Sequence, residues 1–390
     1  MSEWKEVFLI DYYDISSGLS KPSEDFGTGF PFLAFKDVFW NYFVPDKLHN
    51  LVNSTEKERM KCSVKKGDIF LTRTSEKAEE LGMSCVALKD YEDSTFNGFT
   101  KRLRPKKKEE IDEVFIGFYL RSVKFRNDIA AFSNLITRAS LNNDAIGRLK
   151  ILLPSMATQV KIGSILLVFS NLIENNLKRI KLLEELAQRT YEEWFVKFRI
   201  NGKQLEVGEN GLPDGWEYAK IDTLLDKIKS SGKTLASEIN LVGKFPVVDQ
   251  SRDFIAGYVD DEDKLVKSIK PIIIFGDHTR ILKFINFPFV RGADGTQVLL
   301  SNNEKMPQHL FYQSLLKVDL SNYHYARHFK FLKECEVLLP TIKYANEYEN
   351  LIKPKFDLIN NLRNQNCFLK ESRDILLPRL MSGKIGVGKE

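Results

Sequence analysis

The two halves of this chain share a series of short segments that occur in the same order. The matched positions are Trp4 with Trp216, Ser16–Gly18 with Ser230–Gly232, Phe30–Leu33 with Phe245–Val248, Ile69 with Ile273, Phe118 with Phe311, and Pro154 with Pro340. Each match alone is weak, but a common order, with separations that stay nearly constant over the first three matches and shorten over the last three, predicts that one structural unit has been duplicated. The alternative, two unrelated domains that share common tripeptides, predicts no common order.

A long segment with helical periodicity follows each copy. From about Ala157 to Trp194, apolar residues recur at steps of four and three, which is a heptad seam with Asn176 at a core position. The second segment runs from about Tyr344 to Leu380, and Pro354 predicts a disturbance of its first turns. About 40 helical residues make a rod of ~60 Å. Two such rods in one chain most simply pack against each other.

Short β-rich runs, separated by turn residues and mixed with short helical pieces, precede each long segment. The fold class is therefore α+β, with two mixed domains in tandem repeat that are separated by two long helices. The predicted boundaries are 1–154 for the first domain, 155–199 for the first long helix, 200–214 for a linker, 215–340 for the second domain, 341–382 for the second long helix and 383–390 for a tail.

The composition narrows the class of protein. A chain of 390 residues with 43% hydrophobic and 28% charged residues suits two or three globular domains, and a net charge of +5 permits a nucleic-acid partner without requiring one. The four cysteines are scattered, which favours a reducing compartment over a zinc or disulfide framework. The first residues carry acids and no long apolar core, and the longest apolar run, of about 12 residues, is short for a bilayer. We therefore expect a cytoplasmic protein with no membrane partner.

Motifs for catalysis are missing from the sequence. Ser230–Thr234 resembles the end of a phosphate-binding loop, but Lys227 stands where that loop needs a glycine. His324 and His328 could share a helix face, yet no carboxylate or cysteine nearby completes a metal site. No nucleophile is accompanied by a base and an orienting group. We predict a non-catalytic chain that binds no metal and no cofactor of its own.

Several segments are rich in basic and hydrogen-bonding side chains that suit DNA. Lys101–Lys108 carries six basic residues in eight, which suits phosphate contact, with a solvated strand end or loop as the alternative. Gly276–Arg280 and Arg291–Gln297 lie beside apolar strands and suit base edges, with ordinary turns as the alternative. Thr137–Ser140 and Tyr323–His328 occupy matching places in the two copies. The candidate DNA contacts are Arg73, Thr74, Lys101, Arg102, Arg104, Lys106, Lys107, Arg138, Ser140, His278, Thr279, Arg280, Arg291, Asp294, Thr296, Gln297, His324, Tyr325 and Arg327.

These features together resemble the DNA-specificity subunits of Type I restriction–modification enzymes over nearly the whole chain. "ILLPSMATQVKIGSIL" resembles the start of that family's first central helix, with Pro154, Gln159 and Ile162 in place. "LEELAQRTYEEWFVKF" resembles the end of that helix, "LPDGWEYAKI" the start of a second target-recognition domain, and "LKESRDILLPRLMSGKI" the chain terminus. "LPTIKYANEY" lacks the glutamine expected before the second helix, so the start of that helix stays open.

The resemblance implies two target-recognition domains and two long helices that form an antiparallel coiled coil. Each domain would read one half of a split site in double-stranded DNA. The helices would dock two modification subunits, which bind S-adenosylmethionine and methylate adenine. Restriction subunits would add ATP- and Mg-dependent translocation and cleavage. The duplication would supply the pseudo-twofold symmetry that suits two identical partners.

The candidate docking residues are Trp194, Phe195, Leu376 and Leu377. For Trp194 and Phe195, packing beneath one of the globular domains is the alternative. Two rival functions stay open at this point: a coiled-coil adaptor that binds protein only, and a stand-alone nuclease or methyltransferase.

Overall fold

The computed structural model describes residues 4–74, 80–133, 141–226, 232–293, 295–323 and 327–387. The chain divides into two compact units. The first unit joins Met1–Glu174 to Asn366–Glu390, and the second comprises Asn175–Gln365. Each unit therefore contains one mixed domain together with parts of both long helices.

The first unit is built from short strands and helices. Its strands are Lys5–Phe8 (β1), Tyr13–Ser17 (β2), Phe26–Leu33 (β3), Asn50–Val52 (β4), Ile69–Thr72 (β5), Ser84–Val86 (β6), Thr95–Phe96 (β7), Thr100–Pro105 (β8) and Lys150–Leu153 (β9). Its short helices are Leu9–Tyr12 (α1), Phe35–Trp40 (α2), Glu56–Lys61 (α3), Glu113–Tyr119 (α4), Val123–Ser133 (α5) and Asn143–Arg148 (α6).

Three sheets organise the first unit. The first strand, β1, pairs antiparallel with the last, β9. A four-stranded antiparallel sheet has the order β2-β8-β5-β6, and a three-stranded sheet has the order β4-β3-β7, in which β3 and β7 are parallel. The aromatic face of α4, including Phe115, Phe118 and Tyr119, packs with Ile69 and Leu103 of the four-stranded sheet. The burial of such apolar side chains is the main contribution to the stability of a domain of this kind.

The first long helix, α7, spans Met156–Tyr191 and continues into a π-helical turn at Glu192–Val196. Phe198 then adopts a left-handed backbone conformation with φ of 52°, which turns the chain away from the helix. The prediction from the sequence gave 155–199 for this segment.

The second unit follows the same plan. Its strands are Arg199–Ile200 (β10), Lys203–Gln204 (β11), Glu217–Lys220 (β12), Phe245–Val248 (β13), Gly257–Val259 (β14), Ile272–Gly276 (β15), Leu282–Ile285 (β16), Val290–Arg291 (β17), Thr296–Leu299 (β18) and Glu336–Leu339 (β19). Its short helices are Gln308–Leu316 (α8) and His328–Glu334 (α9).

The pairing of these strands confirms the predicted tandem repeat. β12 pairs with β19, as β1 pairs with β9 in the first unit. β13 lies between the antiparallel β14 and the parallel β17. In the first unit, β3 lies in the same way between β4 and β7. β15 lies between β16 and β18 as β5 lies between β6 and β8. Trp4 and Trp216 each precede the first strand of a copy, and Pro154 and Pro340 each follow the last. Ser230 and Ser231, from one of the matched segments, lie outside the described residues.

The second long helix, α10, spans Ile342–Met381 and includes Pro354 without a break. The predicted disturbance by this proline is therefore wrong. Tyr348, Ile352 and Phe356 are buried on one face of the helix, whereas Pro354 is exposed on another. Packing holds the buried face in helical geometry, and the carbonyl that Pro354 leaves without a partner can be hydrated.

Within each unit the two long helices run antiparallel. In the first unit, Ile162 and Leu166 of α7 share a core with Leu377 and Leu380 of α10, while the amide of Asn366 donates to the carbonyl of Ile173 at 3.5 Å. In the second unit, the hydroxyl of Tyr348 donates to the carbonyl of Ala187 at 3.1 Å, and the amide of Asn176 donates to Gln365 Oε1 at 3.5 Å. Asn176, the polar residue of the heptad seam, thus meets a polar partner across the helix pair.

Candidate nucleic-acid interface

The basic segment predicted to contact phosphates forms β8, which lies between β2 and β5. Lys101 and Arg102 are only 8% and 7% exposed. The ammonium of Lys101 donates to Ser17 Oγ and Asn143 Oδ1, both at 2.9 Å, and Arg102 donates to the carbonyl of Ser63 at 2.7 Å. Burial lowers the pKa of both side chains. This burial and these internal hydrogen bonds contradict their prediction as phosphate contacts, because both charged groups are turned into the first unit.

Arg104 in the same strand also forms hydrogen bonds within the first unit. Its Nε and Nη2 donate to the two carboxylate oxygens of Asp68 at 2.8 and 2.6 Å, and the Asp68 side chain is 0% exposed. The hydrogen bond that Arg104 donates to this carboxylate raises the pKa of Arg104. The bidentate pair gives Arg104 a structural role and contradicts its prediction as a phosphate contact.

Lys106 and Lys107 lie just beyond the strand and are exposed. Lys106 donates to the carbonyl of Ile10 at 2.7 Å, and the ammonium of Lys107 lies 4.4 Å from the ring centroid of Tyr12. Both ammonium groups stay close to solvent, so their phosphate contacts remain predictions.

Arg73 and Thr74 follow β5 and are half-buried. The backbone of Arg73 is fixed on both sides, since its N–H donates to the carbonyl of Phe99 at 2.8 Å and its carbonyl accepts from Leu141 at 2.9 Å. Phe99 is 63% exposed, in the turn that precedes β8. Sequence reasoning missed this residue, although the turn sequence "NGF" signals a projecting side chain. Arg138 and Ser140 lie outside the described residues.

In the second unit, the turn between β15 and β16 presents three predicted contacts, His278, Thr279 and Arg280, all exposed. Arg280 has φ of 60°, a left-handed conformation that is uncommon for a residue with a side chain. Its backbone N–H donates to Gly276 at 2.7 Å, and its guanidinium donates to the carbonyl of Leu320 at 3.1 Å. These bonds hold the turn in one shape.

Gln250, which sequence reasoning missed, lies where three turns of the second unit meet. Its Oε1 accepts from the N–H of His278 at 3.1 Å, and its carbonyl accepts from the Thr279 hydroxyl at 2.7 Å. Gly295 has φ of 88°, a left-handed conformation that favours glycine, and a Cβ there would lie 2.5 Å from Gln250 Nε2. The available signal was the polar run "DQSRD" directly after a buried strand.

The remaining candidates of the second unit differ in exposure. Thr296 is 3% exposed, and this burial contradicts its prediction as a base contact. Gln297 and Arg327 line a surface cleft of about 610 Å³ that also includes Asp277 and Lys330. Arg291 is half-buried in β17. Asp294, His324 and Tyr325 lie outside the described residues.

His328 has a structural role. Its two ring nitrogens lie 2.9 Å from the carbonyl of Asp277 and 2.8 Å from the carbonyl of Tyr323. Within the part of the chain that the structure describes, no group of three or more side chains is arranged to hold a metal ion.

The four docking candidates on the long helices belong to the cores of their units. Trp194 and Phe195 are 6% and 4% exposed and pack on Tyr348, with ring centroids 5.8 and 5.1 Å apart. Leu377 is 7% exposed in the core of the first unit, and Leu376 is partly buried against it. The burial of Trp194 and Phe195 agrees with the alternative of packing beneath a domain, and the burial of Leu377 likewise argues against a partner contact. For Leu376, which is partly buried, docking of a partner remains a prediction.

Other apolar side chains on the long helices are exposed. Away from the start of each helix, they are Ile165, Val168, Leu172, Leu177, Leu182 and Leu186 on α7 and Leu351, Leu358, Phe368 and Ile375 on α10. We call these residues the exposed helix stripe.

Helix Met156–Val196 is long and apolar enough to cross a membrane by length and composition. This is a weak indication, because core helices of soluble proteins pass the same test.

Comparisons with known proteins agree with this arrangement. The sequence profile of the Type I restriction modification DNA specificity domain matches residues 1–185, which is the first copy with its long helix. The Type I restriction enzyme MjaIX specificity subunit of Methanocaldococcus jannaschii is 26% identical, over 99% of this chain and 94% of the relative. The MjaX specificity subunit of the same organism is 23% identical over the same shares.

A crystal structure of a Type I restriction–modification S subunit from M. genitalium has a similar fold, with a TM-score of 0.58 at 16% identity over 97% of this chain and 96% of that chain. The matching profile and the fold lead to one assignment: residues 1–185 carry a DNA specificity domain of the Type I restriction–modification family, and the chain over nearly its whole length is similar to the specificity subunits of such enzymes.

Proposed function

We propose that this chain reads a split site in double-stranded DNA, with one half of the site read by each domain. The observation that supports this proposal is that the second unit repeats the strand pairings that β1, β3 and β5 make in the first unit, while the side chains on matching turns differ. Thr72 pairs with Thr100 at the end of β5, and Gly276 pairs with Thr296 at the end of β15.

Counting outward from these pairs, His278 takes the place of Thr74, Gln297 that of Lys101, and Gly295 that of Phe99. Two copies of one scaffold with different side chains at their turns would read different bases. The expected DNA site is therefore asymmetric, with two unlike halves.

In the second domain the base contacts would come from Gln250, His278, Arg280, Gln297 and Arg327. Glutamine and arginine side chains form paired hydrogen bonds with adenine and guanine edges in the major groove. The shared backbone contacts of the three turns pre-organise these groups, which reduces the entropy lost on binding.

The exposed helix stripe supports docking of two modification subunits on α7 and α10. Apolar side chains such as Val168, 55% exposed, and Phe368, 68% exposed, are costly in water and gain free energy when a partner helix covers them. In this proposal S-adenosylmethionine is bound by the modification subunits, and ATP and Mg by restriction subunits. The chain works in the cytoplasm without a membrane partner.

A methylation map of a host genome tests this proposal. The chain is co-expressed with its own modification subunit in a host that lacks adenine methylation, and methylated bases are read by long-read sequencing. The modification subunit expressed alone is the control. We expect a motif of two unlike halves with a fixed gap.

A short undivided motif would mean that one domain alone reads DNA, which contradicts the proposal. Absence of methylation from a complex that co-purifies would instead support the adaptor that binds protein only.

A further inference from the structure

The loop between β13 and β14, residues 249–256, carries Gln250 and also contacts the second long helix within the second unit. We call it the reading loop. The guanidinium carbon of Arg363 in α10 lies 3.8 Å from the ring centroid of Phe254, near the end of this loop. Phe254 also meets Phe287 edge-on at 6.0 Å, at the margin of an apolar core. The reading loop is thus fastened to the helix by a stacked guanidinium and an aromatic ring.

Arg363 is itself held by the other long helix. Its Nη2 donates to Glu184 Oε1 of α7 at 2.8 Å, and its side chain is 27% exposed. Burial lowers the pKa of Arg363 and raises the pKa of Glu184, so the pair is partly removed from solvent. Only the planar guanidinium can stack on a ring and donate to a carboxylate at the same time, which a lysine does not reproduce.

From Phe254, short contacts lead back along the reading loop. The buried ammonium of Lys283 donates to the carbonyl of Asp253 and lies 3.7 Å from Asp249 Oδ1. The same Asp249 oxygen accepts from the N–H and the hydroxyl of Ser251 at 2.9 and 2.6 Å. These contacts fix the chain on both sides of Gln250.

Gln250 then positions the neighbouring turn through its bonds to His278 and Thr279, at 3.1 and 2.7 Å. A displacement of Phe254 would therefore move Gln250 and with it the exposed groups of the β15–β16 turn. Binding groups tolerate displacements of only about 0.5 Å before specific contacts weaken.

From this geometry we propose that Arg363 is a positioning residue for DNA recognition by the second domain. It acts through Phe254 and the reading loop and does not itself contact DNA. The inference rests on the proposed function, since it requires the second domain to read one half of the site. Arg363, Phe254 and the reading loop all belong to the second unit, so the effect of Arg363 is expected in one half of the site only. In the first unit, Arg373 of the same helix lies 5.2 Å from the ring of Tyr42, a longer contact.

The test compares variants of the full chain in complex with the modification subunit, by the same methylation map. Arg363→Lys keeps the positive charge and loses the stack, whereas Phe254→Trp keeps a ring for Arg363. Gln250→Ala identifies the half-site read by the second domain. Lys353→Ala, which breaks an exposed ion pair with Asp357 on the same helix, is the matched control.

With Arg363→Lys we expect methylation of sites carrying one mismatch in the second domain's half to rise about tenfold, the scale of one lost base contact. Sites with a mismatch in the other half should stay unmethylated. The Phe254→Trp and Lys353→Ala variants should retain the wild-type methylation pattern. Melting of each complex is followed in parallel.

Unchanged fidelity in that half for Arg363→Lys would overturn the inference, whether or not the melting temperature falls. Equal relaxation of both halves would overturn it too, because it would indicate a general loss of stability. A wild-type chain without a split motif would refute the proposed function and this inference with it.

Discussion

Replacement of Arg104 by glutamine should weaken the first unit while leaving the electrostatic part of DNA binding unchanged. Arg104 donates two hydrogen bonds to the buried carboxylate of Asp68, at 2.8 and 2.6 Å, and one to the carbonyl of Ser63 at 3.1 Å. Glutamine is too short to replace both bonds to the carboxylate. The variant would leave the Asp68 charge buried with a single remaining donor, the N–H of Lys65 at 2.8 Å.

Loss of one partner from a buried ion pair typically costs about 3–5 kcal/mol. Arg104 is 28% exposed, so water can partly replace it and the lower end of that range applies, about 3 kcal/mol. For a unit of this size each kcal/mol lowers the melting midpoint by roughly 2–4 °C, which gives a fall of roughly 6–12 °C.

Urea unfolding, with hydrogen exchange at β5 and β8 as the local probe, measures this change. The double variant Arg104→Met with Asp68→Leu should recover most of the stability, because it removes the buried charge together with its partner. DNA affinity is then measured against salt concentration. Each lost phosphate contact lowers the slope by about 0.9, so Arg104→Gln should leave it unchanged, whereas Lys107→Gln lowers it if Lys107 contacts a phosphate. A stable Arg104→Gln variant with a reduced salt slope would refute this reasoning.

Three further outcomes are expected. Trp216→Ala should lower the free energy of unfolding of the second unit by about 3–5 kcal/mol in urea titrations, because this 4%-exposed ring fills its core, and a loss below ~1 kcal/mol would contradict that packing. Val168→Asp should abolish co-purification with the modification subunit but shift stability by less than ~0.5 kcal/mol; retained binding would exclude this part of the exposed helix stripe. Iodoacetamide should label exposed Cys367 and spare Cys85 in peptide mass spectra, since burial raises the pKa of the Cys85 thiol; equal labelling would show that Cys85 is accessible.

Features that depend on neighbours along the chain could be predicted from the sequence alone. The heptad period predicted the helix α7 and the polar residue Asn176 in its seam. Helical periodicity places residues three and four apart on one face, and this depends only on the local sequence. The ordered matches gave the duplication, and the structure places Trp4 and Trp216 before equivalent strands. The same reasoning failed at Pro354, where packing of the opposite face overrides a local helix breaker.

The tertiary structure alone decided which charged and aromatic groups remain at the surface. Lys101 and Arg104 belong to a segment that is strongly basic, yet Asn143 and Asp68, which hold them, are distant in sequence. Trp194 is likewise buried against Tyr348, which belongs to the other long helix. Gln250 lies in the candidate site because turns that are distant in the sequence contact it. Burial and hydrogen-bond partners are set by long-range pairing, and the residues beside a position in the sequence carry little information about either.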